Sequence, residues 1–389
     1  MDKIDELLSR GVEEVIDRKD LETLLRSKKK LRVKLGIDPT SPNIHIGRAG
    51  VLWKLREFQE LGHQVVFIAG DFTGLIGDTS DKDAERPMLT EAQIKKNVKD
   101  YFKQATKIID PKKSELHYNS KWLKKLGFLE ISQMADAFSL HEMAARENIS
   151  KRMQAGKRVS FRELMYPIMQ GYDSVAVKAD VELGGTDQRF NLLAGRTIQP
   201  LYGQKPQNIL TRKLMEGTDG RKMSSSWGNV INIIDEPNDM FGKVMSIGDN
   251  LIKQYFILAT RLPVEQVNEI ISANANPRDQ KLELALAITT LYHGDKKAAA
   301  AKQAFINQFS KGGLPSHINI VGIDRPMKAS DVMAVTQLAG SKSKSRRLIE
   351  QGGVKYDGMV LGEDVIIIPT DEPKLLQVGK RNYIKIKKK

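Results

Sequence analysis

The chain has 389 residues, 40% of them hydrophobic, no cysteine and a formal net charge of +14. Its length admits two or three domains with cores of their own. The lack of cysteine excludes disulfides and thiolate metal sites and points to the cytoplasm. No apolar run approaches the roughly 20 residues a membrane span requires. The basic balance suits either a polyanionic partner or a solvated surface. The stretch from Ser330 to Lys389 carries 12 Lys/Arg against 7 Asp/Glu.

Ile4 to Lys28 mixes charged and apolar residues at helical spacing. This predicts one or two amphipathic helices rather than a signal peptide. Leu31 to Ile37 is the first buried strand candidate. It runs into a turn, Asp38-Pro39-Thr40-Ser41-Pro42-Asn43, whose residues are turn formers. A helix then extends to about Leu61. Such a strand-turn-helix unit offers backbone N–H groups and a positive helix end to an anion. Its tip holds His45-Ile46-Gly47-Arg48. The His can donate to a phosphate oxygen, the Arg adds a cation, and the glycine lets a flat base approach the backbone. An ordinary capped turn reads equally well from this motif by itself.

Gln64 to Gly70 is the second strand, and the helix between the two strands implies a parallel sheet. Gly70 to Lys82, rich in glycine and containing Asp78, lies where a parallel sheet presents its ligand face. Neither a phosphate-loop lysine motif nor GxGxxG is present. Thr90 to Asp110 is a helix opened by a Thr90/Gln93 capping box. Ser114 to Asn119 is a strand, and Phe128 to Gln154 is helical. A second capping box, Ser160/Glu163, opens a helix on which Tyr166, Gln170 and Asp173 share one face. A phenol, an amide and a carboxylate make a poor core stripe and a good polar pocket wall. Ala179 to Leu183 is a strand ending in Gly184-Gly185-Thr186-Asp187-Gln188, and a helix follows to Arg196. Asn208 to Leu210 is another strand. An exposed-looking loop, Lys213 to Trp227, carries Lys222-Met223-Ser224-Ser225-Ser226, where a lysine among serines can neutralise a phosphate.

These pieces, in this order along one doubly wound frame, resemble the class I aminoacyl-tRNA synthetases, and within them the bacterial tyrosyl-tRNA synthetase family. His45 to Arg48 looks like the HIGH signature and Lys222 to Ser226 like KMSKS. The resemblance covers nearly the whole chain and implies an α/β fold: a Rossmann-like catalytic domain over 1–235 with a helical insertion, a helical anticodon-binding domain over 236–322, and a small S4-type RNA-binding domain over 330–389. It implies ATP with Mg2+, tyrosine and tRNA(Tyr) as partners, a homodimer, and no protein-bound metal. It also implies roles. Thr40, His45 and Lys222 would act on the phosphates. Asp38, Gly47, Arg48, Asp187 and Ser224 would complete the ATP site. Asp78, Tyr166, Gln170 and Gln188 would surround the amino acid's backbone atoms, and Asp173 would accept its phenol hydroxyl.

Three positions depart from the family pattern. Lys34 stands where many members have a tyrosine, which puts a second contact to the substrate hydroxyl in doubt. Arg48 replaces the second His of HIGH, and Ser225 the second Lys of KMSKS. Beyond Ile234 the sequence predicts four helices, Asp249–Leu262, Val264–Ala273, Arg278–Leu291 and Asp295–Phe309. A Gly/Pro-rich linker over Gly312 to Pro326 follows. In the last segment Lys344, Arg346, Arg347 and Lys355 would meet RNA phosphates. Phe128 to Gln154 is the candidate dimer interface. Two rivals, a tryptophan enzyme and a non-catalytic RNA-binding relative, are disfavoured by Asp173 and by the intact His45, Asp78, Asp187, Gln188 and Lys222.

Overall fold

The computed structural model describes residues 2–78, 89–310, 318–379 and 382–389. The positions 79–82 of the predicted ligand loop and 312–317 of the predicted linker therefore lie outside the described residues. The chain divides into two compact units, Met1–Phe305 and Ile306–Lys389.

The first unit opens with α1 (Lys3–Ser9), β1 (Val12–Ile16) and α2 (Arg18–Arg26). The strand corrects the expectation of an all-helical start. Gly11 and Asp17 flank it in left-handed conformation, which a continuous helix does not tolerate. Then come β2 (Arg32–Ile37), α3 (Ile46–Glu60), β3 (Gln64–Ala69), α4 (Thr73–Ile76), α5 (Glu91–Ala105) and β4 (Ser114–Tyr118). α6 (Ser120–Leu123) leads to α7 (Phe128–Asp136), α8 (Leu140–Ala145) and α9 (Glu147–Gln154), so the predicted helical stretch is three short helices. α10 (Phe161–Val177), β5 (Val181–Gly185), α11 (Arg189–Ile198) and β6 (Asn208–Arg212) complete the α/β core.

The six strands form one sheet in the order β1-β6-β5-β2-β3-β4. β2 to β6 are parallel, and β1 pairs with β6 antiparallel at the edge. The buried pattern of β3, with all but its first residue inside, is that of a strand covered on both faces. The chain builds β2, β3 and β4 in one direction and then returns to add β5 and β6 on the other side of β2. The crevice between β2 and β5 is thus the topological switch point, where open α/β sheets bind ligands.

The capping boxes at Thr90/Gln93 and Ser160/Glu163 are both formed. α10 contains Pro167, whose missing N–H leaves the Glu163 carbonyl short of its helical donor. Arg146 donates to that carbonyl over 3.4 Å, and Arg152 pairs with the buried Glu163 carboxylate. Helices α12 (Pro237–Met245), α13 (Ile252–Ala259), α14 (Val264–Ala273), α15 (Pro277–His293) and α16 (Asp295–Ser310) follow, the predicted four preceded by one more. Buried Phe241, Val244, Tyr255, Phe256, Leu284 and Ile288 form their core.

The second unit holds β7 (Ile320–Ile323), β8 (Met327–Lys328), α17 (Ala329–Val335), α18 (Lys342–Glu350), β9 (Val354–Tyr356), β10 (Met359–Val360), β11 (Ile366–Ile367), β12 (Lys374–Val378) and β13 (Asn382–Lys388). Five strands form a sheet in the order β10-β9-β12-β13-β7, and β11 pairs with β8. Val332, Met333, Ile349, Val354, Leu376 and Ile386 are its buried core. β7 falls inside the stretch read as a linker, because Ile320 to Ile323 pair in parallel with Lys385 to Lys388. A four-residue strand gains its hydrogen bonds from a partner more than 60 residues away, which local composition does not reveal.

Candidate active site

At the carboxyl ends of β2 and β5 lies a cleft of about 390 Å³, within the range of small-ligand sites. Thr40, His45, Gly47, Arg48, Asp78, Tyr166, Gln170, Asp173, Asp187, Gln188, Lys222 and Ser224 all line it, together with Asp38. The sequence-predicted ATP and amino-acid residues thus meet in one place, although they are scattered from Asp38 to Ser224.

The turn after β2 is held from outside. Asn97 and Gln104 of α5 donate to the carbonyls of Pro39 and Pro42, both at 2.8 Å, and Gln104 accepts from the Ile44 N–H. Segment 231–233 straps it from the other side through Ile46 N–H to Ile231 O and Ile233 N–H to Ile44 O. His45 caps α3, its Nδ1 accepting from the Arg48 N–H at 3.3 Å. An acceptor at Nδ1 leaves the proton of a neutral ring on Nε2. Burial, reinforced by Arg48 and Lys222, pushes the His45 pKa down to about 3, so the ring is a neutral donor at physiological pH. Half-buried Arg48 is bound to the hydroxyl of buried Tyr101 of α5, which restrains its cation.

The wall built by α10 carries the predicted polar face. Tyr166 donates to Asp38 at 2.9 Å, and Asp38 also accepts from Thr73 at 2.7 Å. Burial first, then the carboxylates of Asp38 and Asp78, hold the Tyr166 phenol well above its ordinary range, so it remains protonated. Asp78 accepts from Gln188 at 2.7 Å, and Asn191 donates to the Gln188 amide oxygen at 2.9 Å. Asp173 lines the cleft and is buried. Its carboxylate accepts from Trp122 Nε1 at 2.7 Å and Asn119 Nδ2 at 3.2 Å. Burial raises its pKa to about 7, against the opposing pull of Lys34, Trp122 and Asn119.

Lys222 reaches Asp187 at 2.9 Å. The loop that carries it is exposed at Lys213, Leu214, Asp219 to Arg221, Ser226 and Trp227, as expected, but it is anchored from within. Met223 is buried, and buried Asn229 ties the loop together, accepting from the Ser224 N–H and donating to Asp219 and to the Lys222 carbonyl. Ser225 stands 3.4 Å from Ser41 of the turn after β2. Lys34 is absent from the cleft lining; its ammonium bonds Gln170 O, Ser174 and Glu182 behind the wall.

Sequence reasoning missed Asn119, Trp122, Thr73, Gly36 and Asn229. Asn119 and Trp122 directly follow β4 at the same end of the sheet, a position that marks the ligand face. Gly36 interrupts a strand and would carry a Cβ into open space within the cleft; a glycine inside a strand signals a close approach. Asn229 had no local signal. In the second unit Lys344, Arg346, Arg347 and Lys355 are exposed, with Arg346 3.6 Å from Asp364. Among the described residues no helix is long and apolar enough to cross a membrane, and no group of three or more His, Asp or Glu could hold a metal ion.

A family model described as tRNA synthetases class I (W and Y) matches residues 26–310. A tyrosine–tRNA ligase of Thermotoga maritima is 44% identical over 385 residues, 98% of this chain and 96% of the relative. One of Shewanella oneidensis is 43% identical over 392 residues, 99% and 98% of the two chains. A C-terminally truncated mitochondrial tyrosyl-tRNA synthetase of Aspergillus nidulans has the same fold, with a TM-score of 0.66 at 22% identity over 79% of this chain and 94% of that one. So does a tyrosyl-tRNA synthetase of Archaeoglobus fulgidus complexed with L-tyrosine, with a TM-score of 0.62 at 22% identity over 77% and 100%. The switch-point cleft and these matches define the class: the chain belongs to the class I tRNA synthetases of the W and Y type. Within that family it is a tyrosine–tRNA ligase.

Proposed function

We propose that the cleft divides the reaction among its residues as follows. Buried Asp173 accepts the phenol hydroxyl of tyrosine. Asp78, Tyr166 and Gln170 surround the ammonium, and Gln188 lies beside the carboxylate. That carboxylate attacks the α-phosphate of ATP in line; the bond to the β-phosphate bridging oxygen breaks, and pyrophosphate leaves with its electrons. The ribose hydroxyl at the tRNA 3′ end then attacks the tyrosyl carbonyl and expels AMP.

The chemistry needs positioning and charge stabilisation rather than a strong base. His45 donates from Nε2, Thr40 from its hydroxyl, and Lys222 supplies a cation that moves from Asp187 to the phosphates. Asp38, Gly47, Arg48 and Ser224 complete the ATP site, and Asp187 takes the ribose hydroxyls. Mg2+ arrives with the phosphates of ATP.

The observation that carries this reading is that one cleft combines a buried carboxylate, Asp173, held by Trp122 and Asn119, with His45 and the cations of Arg48 and Lys222 that act on that ring. A carboxylate held by Trp122 and Asn119 demands a hydrogen-bond donor from the ligand. Phenylalanine would leave it unpaired, and tyrosyl-tRNA synthetases are already the established example of discrimination on that basis.

Residues 1–235 would form the catalytic domain, and the helices α12 to α16 that follow would meet the anticodon side of tRNA(Tyr). The carboxyl-terminal domain, which begins by β7 rather than at 330, would add phosphate contacts through Lys344, Arg346, Arg347 and Lys355, which are exposed. A homodimer is supported by apolar side chains left exposed at Phe128, Leu129, Leu140, Met153 and Phe161, and a cytoplasmic site by the absence of cysteine. ATP–pyrophosphate exchange run with tyrosine, phenylalanine and tryptophan tests the core of the proposal. Exchange with tyrosine alone is expected; exchange driven by another amino acid would overturn it.

A further inference from the structure

Lys34 and Glu182 face each other in register across β2 and β5, with side chains 0% and 1% exposed. The ammonium lies 2.9 Å from Glu182 Oε1 and also donates to the Gln170 carbonyl at 2.9 Å and Ser174 Oγ at 2.7 Å. Glu182 accepts further bonds from Gln170 Nε2 at 3.2 Å, from Ser174 Oγ at 3.0 Å and from Gln207 Nε2. A buried ion pair adds little to stability over apolar residues of similar size, so its presence calls for another use.

Gln170 shows that use. A carboxylate only accepts hydrogen bonds, so the Gln170 amide must turn its nitrogen toward Glu182. The amide oxygen is then the acceptor left for the cleft that Gln170 lines. An oxygen in that place suits an ammonium; a flipped amide would repel one. We propose that the buried Lys34–Glu182 pair is a positioning device for tyrosine: it fixes the Gln170 amide with its oxygen toward the substrate ammonium and balances the charge behind Asp173. The inference rests on the roles proposed above for Gln170 and Asp173.

Asp173 is faced by Trp122 and Asn119 from the segment after β4, by Lys34 from β2, by Glu182 from β5 and by Tyr166 on its own helix, with Asp38 and Asp78 beyond the phenol. Lys34 favours its charged form and Glu182 disfavours it. Removing either charge should therefore move the Asp173 titration in opposite directions, which a loss of packing would not do.

The test uses the full chain and measures exchange kinetics against pH for the wild type, Lys34→Met, Glu182→Gln and the double variant. The acidic limb of kcat/KM for tyrosine should move to higher pH in Lys34→Met and to lower pH in Glu182→Gln. The double variant keeps the volume but lets residue 182 present either face of an amide to Gln170. Its KM for tyrosine should rise about tenfold, the worth of roughly one charge-assisted hydrogen bond, with KM for ATP within about twofold. Limbs that stay in place or move together would overturn the proposal. So would a double variant with the wild-type KM for tyrosine, or one in which both KM values rise alike. If a single variant fails to fold, the KM split of the double variant decides. A wild type whose exchange does not require tyrosine would instead sink the underlying assignment of roles.

Discussion

The Lys222 ammonium lies 2.9 Å from the Asp187 carboxylate, so the lysine of the serine-rich loop occupies the group proposed to take the ATP ribose. ATP would compete for Asp187 and release Lys222 toward the phosphates. Lys222→Ala should slow adenylate formation by about 10²–10³, the usual cost of one transition-state donor, and leave tyrosine affinity nearly unchanged. Single-turnover adenylate formation and equilibrium tyrosine binding separate the two. A loss confined to binding would remove Lys222 from the transition state.

Asp173 sets a second expectation. Its pKa of about 7 means that kcat/KM for tyrosine should fall as the pH drops through 7, because only the carboxylate accepts the phenol proton. The same shift bears on stability. Native Asp173 keeps a proton that the unfolded chain releases near its ordinary value of 3.8, so it costs stability as the pH rises from about 3.8 to 7 and the full cost persists above that. Asp173→Asn should gain in urea midpoint relative to wild type at pH 8 compared with pH 5, while losing discrimination against phenylalanine.

His45 behaves with the opposite sign. With its pKa pushed down to about 3 from 6.5, it stays neutral where the unfolded residue takes up a proton. Its contribution to stability is complete above pH 6.5 and is lost progressively as the pH falls toward 3. His45→Asn should flatten the fall in denaturation midpoint between pH 7.5 and pH 5. Adenylate formation in the wild type should show no limb near 6.5 that His45→Asn abolishes.

Gly171 lies between Gln170 and Asp173 where α10 crosses α11. A Cβ there would meet Ile198 Cδ1 at 2.7 Å and the Ala194 carbonyl oxygen at 2.9 Å. Backbone does not yield as a flexible side chain does, so Gly171→Ala should destabilise by about 1–3 kcal/mol despite its better helix propensity. A lower Tm with a raised KM for tyrosine would report the displaced helix. An unchanged Tm would mean that the crossing has slack.

The carboxyl-terminal unit forms its own sheet and core. Because β7 pairs with β13, a clean removal takes 318–389 rather than 330–389. The shortened chain should keep adenylate formation and lose tRNA charging. An equal fall in both would contradict a separate role for the tail.

Much of this was legible in the sequence because it is local. Buried strands showed as apolar runs, the capping boxes at Thr90 and Ser160 fixed helix starts, and Tyr166, Gln170 and Asp173 shared a face through helical spacing. β1 and β7 were not legible, since short edge strands derive their order from partners about 195 and about 65 residues away. Lys34 is the sharpest case. The residue could be seen as a departure at a substrate position, but its direction could not.

The sequence by itself determined the parallel sheet, the order of the motifs and the family they resemble, because periodicity and turn chemistry act over a few residues. Only the tertiary structure decided that Lys34 turns behind the wall to Glu182, that Trp122 and Asn119 hold Asp173, and that His45 is neutral. Each depends on burial and on partners distant in sequence, and desolvation is a property of a position in space.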